Sequence, residues 1–145
     1  MHWKQAAQDE LGVYRHRREA LTSIAARINA LKQAYESVKT SDANAAPVLG
    51  GMSRVEEMRI ENIAERERLR RAYYATKRLV ELTEKGLNSL TEQERMILEK
   101  FYISPQKGNI DRLCSELGYE KTRIYELKDK ALYHFTCAMF GLIDY

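Results

Sequence analysis

From Leu21 onward, apolar residues recur at Leu21, Ile24, Ile28, Leu31, Tyr35 and Val38, in steps that alternate three and four. That period keeps one edge of an α-helix apolar and marks a coiled-coil seam. Ala7 and Tyr14 carry the seam back toward the N-terminus, while Glu10 and Arg17 fall on it and weaken it. The spacing predicts a helix over 3–39. A second begins after Ser53, which forms a capping-box pair with Glu56 three residues on. The pattern predicts that it runs over 54–88. Its first half is dense in charge, with only Val55, Met58, Ile60 and Ile63 apolar. Its second half has a clearer seam: Leu69, Ala72 or Tyr73, Thr76, Leu79 or Val80, Thr83 and Leu87. At 1.5 Å per residue each helix is roughly 50 Å long. Neither can bury its stripe alone, so an antiparallel helical hairpin, paired with a second copy, is the natural solution.

Between the two, Thr40-Ser41-Asp42-Ala43-Asn44-Ala45-Ala46-Pro47-Val48-Leu49-Gly50-Gly51 is rich in turn formers. The loop expected over 40–53 is longer than a hairpin needs, and Val48 and Leu49 offer it a way to fold against the helices. Gly50-Gly51 follows no strand and precedes no Gly-Lys-Ser/Thr, so it is not a phosphate-binding loop.

The C-terminal third is built from shorter pieces. Thr91 and Glu94 form a second capping box, and Met96, Ile97, Leu98, Phe101 and Tyr102 supply an apolar side. Ser104-Pro105-Gln106-Lys107-Gly108 reads as a loop, and Asn109 as the cap of the next helix. On that helix Ile110, Leu113 and Leu117 form a stripe, and Cys114 is small enough for a close crossing. Gly118 can take positive φ, which turns the chain. A last helix starts near Glu120, with Ile124, Leu127, Ala131 and Phe135 on one side. Two short helices meeting at such a turn are the helix-turn-helix arrangement, whose second helix reads the DNA major groove. At 100° per residue, Thr122, Tyr125, Glu126, Asp129 and Tyr133 lie on the outward side, flanked by Lys121 and Lys130. Base edges are met from the first turns. Lys121, Thr122, Tyr125 and Glu126 are therefore the expected groove residues, and Arg123, Lys128 and Lys130 the expected phosphate contacts. An ordinary amphipathic helix pair in a protein-binding module is the competing reading.

Leu90-Thr91-Glu92-Gln93-Glu94-Arg95-Met96-Ile97-Leu98 resembles the opening of the fourth conserved region of bacterial sigma factors. The likeness continues through Asn109, Leu117-Gly118-Tyr119 and Ile124-Tyr125 to Ala131-Leu132, about fifty residues in all. The whole chain is similar to small phage and prophage proteins that join a coiled-coil N-terminal half to such a domain, relatives of which regulate late transcription. The resemblance implies transcription control through DNA, RNA polymerase or both, with Lys121, Thr122, Tyr125 and Glu126 at the promoter-reading face. Two positions depart from the sigma pattern: Glu120 stands where Ser or Thr caps the helix, and Tyr125 where Arg is frequent. No counterpart of the other sigma regions is present, so a complete sigma factor is not expected. The expected fold class is all-α: a coiled-coil hairpin over 1–89, then a sigma region 4-like helix-turn-helix domain over 90–145.

Composition changes this picture in two places. The chain has 145 residues, 44% hydrophobic and 31% charged, which suits one domain or two small ones. No run is long and apolar enough for a membrane span, Met1-His2-Trp3-Lys4-Gln5 has no apolar signal core, and two cysteines make no disulfide framework. A reducing, cytoplasmic setting is expected. The net charge is +3, of which residues 1–90 hold +4 and residues 91–145 hold −1. A helix-turn-helix of that charge binds DNA weakly and salt-sensitively alone, so a homodimer or a larger DNA-bound partner is expected to supply the rest. The run Arg15-His16-Arg17-Arg18 reads as a solvated helix face ahead of a DNA contact.

Catalytic and metal chemistry is not indicated. His134 and Cys137 are three apart, and Cys114 offers a third ligand for zinc, but buried structural cysteines are the expected reading. No nucleophile–base set is suggested, so no enzyme and no cofactor are expected. Double-stranded DNA is the expected ligand, with RNA polymerase as a second partner and no membrane. Two alternatives belong to other classes: a module that binds polymerase without reading DNA, and a phage DNA-packaging subunit of small-terminase type.

Overall fold

A computed structural model describes residues 2–42 and 53–141, with the side chains of 39–42 excepted. The described residues are all-helical, without strands. In order they are α1 (Trp3–Asp42), α2 (Arg54–Asn88), α3 (Glu92–Leu98), a π-helical turn (Glu99–Ile103), α4 (Asn109–Leu117) and α5 (Lys121–Phe140). No helix among the described residues is long and apolar enough to cross a membrane. The expected loop begins later than 40, because α1 runs on to Asp42; Val48 and Leu49 lie outside the described residues.

The helix starts follow the capping chemistry. The Ser53 hydroxyl accepts the Glu56 amide at 3.1 Å. Thr91 and Glu94 exchange both bonds of a capping box. Asn109 does not cap α4. Gly108 holds that position at φ 81°, and the Asn109 side chain instead donates to the Lys100 carbonyl at 2.6 Å. The start of α4 is thereby tied back to the π-helical turn.

The chain forms two compact units, Met1–Arg18 with Arg78–Tyr145, and Glu19–Lys77. This division does not follow the expected boundary at 89/90. The physical reason lies in the long helices: their outer ends carry most of the buried side chains, and their remaining lengths are mainly half-buried or exposed. Ala7, Leu11 and Tyr14 of α1 and Val80, Thr83 and Leu87 of α2 are buried in the first unit with Ile97, Leu98, Leu113, Ile124, Ala131, Leu132, Phe135 and Met139. The Tyr14 hydroxyl donates to Glu84 at 2.9 Å. Arg17 pairs with Glu10, so the two charges interrupting the seam neutralise each other. Ile97, Leu113 and Ile124 join α3, α4 and α5 in one cluster, with Met96, Phe101, Ile110, Cys114, Leu117 and Leu127 against it. Gly86 lets α2 and α5 approach closely: a methyl group there would stand 2.7 Å from the Phe135 ring.

In the second unit, Leu69 is the one apolar side chain buried among the described residues. The α1 seam from Leu21 to Val38 is half-buried. On α2 the half-buried or buried positions Val55, Arg59, Asn62, Arg66, Leu69, Tyr73 and Thr76 recur in alternating steps of four and three. Asn62 donates to the Leu31 carbonyl at 2.7 Å, and the Arg66 guanidinium stacks 5.1 Å from the Tyr35 ring centre. Two polar seam positions, Asn62 and Arg66, are thus engaged across the pair, while the Arg59 Nε is buried without a hydrogen bond. Met58, Ile60, Ile63 and Tyr74 are exposed, at 45%, 54%, 49% and 58%.

Candidate nucleic-acid interface

Leu113 seats α4 in the core, and Gly118 ends the helix at φ 73° with its amide bonded to the Cys114 carbonyl at 2.9 Å. Glu120 then takes an extended conformation and caps α5 through its backbone alone, since its side chain makes no capping bond. The carboxylate is left beside the positive end of the helix dipole. Ile124, Ala131, Leu132, Phe135, Thr136 and Met139 anchor α5. That rotation leaves Lys121, Thr122, Arg123, Tyr125, Glu126 and Lys130 exposed and Lys128 half-buried.

The exposed face is internally neutralised. Lys121 lies 3.8 Å from Asp111, which projects from the first turn of α4. Arg123 pairs with Glu126 one turn on, at 3.1 Å. The Lys128 ammonium sits 5.2 Å from the Phe101 ring centre and 5.0 Å from that of Tyr125, between two aromatic rings. Of the three expected phosphate contacts, Lys130 is exposed, Arg123 is ion-paired, and Lys128 is drawn onto the rings. Around this face, Lys121, Arg123, Lys128 and Lys130 are matched by Asp111, Glu120, Glu126 and Asp129.

Two residues expected on the outward side, Asp129 and Tyr133, meet the first turn of α1 instead. Lys4 lies 3.6 Å from Asp129, and the Trp3 ring packs edge-on to Tyr133 with centres 6.0 Å apart. Gln8 approaches the Tyr102 hydroxyl at 3.4 Å. Burial, and then the nearby Asp129 charge, push the Tyr102 phenol up. Beyond its first two turns α5 keeps Lys130 exposed, while Asp129 and Tyr133 are engaged by α1. Asp111, Phe101 and Lys4 shape this face and escaped the sequence reading, because each comes from another element. Only the charge of Asp111 in a first turn gave a signal.

On the other flank, His134 Nδ1 meets the Glu94 carboxylate, the same group that closes the α3 capping box. Burial pushes the Glu94 carboxyl up, but the bonds from His134 and Thr91 outweigh it and hold it below its ordinary value. Cys114 and Cys137 are free thiols, half-buried. Among the described residues, no group of three His, Cys, Asp or Glu is placed to hold a metal ion.

Comparison with family models, with curated proteins and with solved structures finds no match to this chain.

Proposed function

We propose that this chain is a sequence-selective DNA-binding regulator of transcription, of the kind found in phages and prophages. In this reading α4 and α5 form a helix-turn-helix of sigma region 4 type, and the seams of α1 and α2 form a coiled-coil hairpin. Lys121, Thr122, Tyr125 and Glu126 enter the major groove, with Arg123 and Lys130 at the phosphates. The observation that carries this is the exposure of the first two turns of α5, beyond a positive-φ glycine turn and above a buried anchor at Ile124. Groove reading needs a helix free at its N-terminal turns and fixed at its back. The internal ion pairs do not oppose it strongly. Exposed pairs contribute only about 0–1 kcal/mol each, so the duplex can displace Asp111 from Lys121 at small cost. They do keep non-specific affinity low, which leaves base contacts to decide the site and requires a second copy or RNA polymerase to add affinity.

The test is a titration against matched and single-mismatch duplexes from the promoters beside the gene. Lys121→Ala weakens binding by about 1–3 kcal/mol if the ammonium meets a base edge. Glu126→Gln raises non-specific affinity and loosens choice at one base pair. If both variants bind every duplex as the parent does, α5 does not read DNA. A second reading then stands: Tyr119 and Tyr125, 38% and 46% exposed on a neutralised face, suit a protein partner such as RNA polymerase.

A further inference from the structure

The exposed residues Ile60, Ile63, Glu67, Arg70, Tyr74 and Lys77 step along α2 by three, four, three, four and three. They form a second stripe, one residue round from the seam that faces α1. A single helix pair cannot cover it, and among the described residues of the second unit Leu69 is the one buried apolar side chain. The stripe matches its own reverse. Turned end for end about the level of residues 68–69, it places Ile63 against Tyr74 and Glu67 against Arg70.

We propose that a second copy of this chain docks on this stripe, antiparallel, about a two-fold axis at residues 68–69. Isologous pairing requires that residue i meet j and j meet i, which the reversed stripe provides. Each Ile63 enters a groove of about 200 Å³ on the partner copy, bounded by Ala25, Ile28, Asn29, Arg70, Tyr73 and Tyr74. A cavity of about 150 Å³ already takes a benzene-sized group, so the aliphatic side chain fits. Each Glu67 faces Arg70 across the axis. Glu67 also lies 3.7 Å from Arg71 of its own helix, and a carboxylate has acceptor sites for both cations. Over residues 60–77 the helix pair presents a face of roughly 27 by 20 Å, about 540 Å² per partner, the size of the smaller specific interfaces. The opposite face is less suited: Glu65 is engaged there by Arg68 in a two-bond pair.

This refines the second-copy element of the proposed function, and its test uses no DNA, so the two stand or fall separately. The full chain is examined by sedimentation equilibrium at micromolar concentration, with helicity checked by circular dichroism. The unmodified chain sediments as a dimer. Glu67→Arg and Arg70→Glu each weaken the dimer about tenfold, since two symmetric pairs turn repulsive. The double variant, which restores opposite charges across the axis, returns to within about threefold of the parent. Under mild oxidation, a chain carrying both Ile63→Cys and Tyr74→Cys gives a covalent dimer whose linked peptides join positions 63 and 74. Ile63→Cys alone does not, because its two copies stand roughly 16 Å apart along the axis. A monomer for the unmodified chain, a double charge variant no better than the singles, or a 63–63 link each overturns the proposal.

Discussion

Asp111→Asn removes the carboxylate that holds Lys121 and leaves the cation free for a phosphate. The gain has two parts. A carboxylate standing about 7 Å from a phosphate in water repels it by ~0.6 kcal/mol, and screening at 0.1 M salt reduces this to ~0.3 kcal/mol. The exposed pair that must break, at 3.8 Å, is worth a further ~0.2–0.5 kcal/mol. Together these predict binding to arbitrary duplex DNA that is tighter by about two- to fourfold. If Lys121 then neutralises one more phosphate, the slope of log affinity against log salt steepens by about 0.9. Fluorescence anisotropy with a random duplex at about 50, 100 and 200 mM salt measures both quantities. The helix start loses a favourable charge, so circular dichroism must show that α4 persists. Unchanged or weaker binding at every salt concentration refutes the claim that Asp111 restrains Lys121 from DNA.

Three further outcomes follow from the packing. Tyr14→Phe removes a hydrogen bond to Glu84 from a buried phenol and should lower stability by about 1 kcal/mol in urea unfolding; no change would show that the bond contributes nothing. Thr91→Ala breaks the capping box and should cost about 1 kcal/mol by the same assay. Glu94 has a folded-state pKa below its ordinary 4.5, so its contribution is present above that value and is lost as pH falls through the lower folded value. Acid unfolding should therefore be steeper below pH 4.5 for the parent than for Glu94→Gln, and identical slopes would contradict this.

Much of the helix layout was legible in the chain, and the reason is local. Capping at Ser53 and Thr91 depends on residues three apart, and α2 spans the 54–88 that its pattern predicts. The outward set on α5 followed from angular steps within one helix, and Lys121, Thr122, Tyr125 and Glu126 are indeed exposed. What failed was non-local. The seam spacing is the same where α1 and α2 pack with the short helices and where they pack with each other, so periodicity could not place the division at Arg18 and Arg78. Asn109 has the chemistry of a cap, yet a distant carbonyl at Lys100 claims its amide. Lys128 looked free until Phe101 was brought beside it, and Asp129 until Lys4 was.

The contact at Gly86 bears on how this sequence can drift. A glycine inside a helix costs about 1 kcal/mol against alanine, so mutation toward alanine would ordinarily be welcome there. Here the new methyl would lie 2.7 Å from the Phe135 ring and 3.3 Å from Met139 Cβ, in a core with Phe135 fully enclosed. Overpacking of that kind costs roughly 1–3 kcal/mol and outweighs the gain. Shortening Phe135 first leaves a void that the methyl can later fill. Evolution at these two sites thus has a preferred order, with 135 changing before 86, and in any descendant lineage a larger residue at 86 should travel with a smaller one at 135.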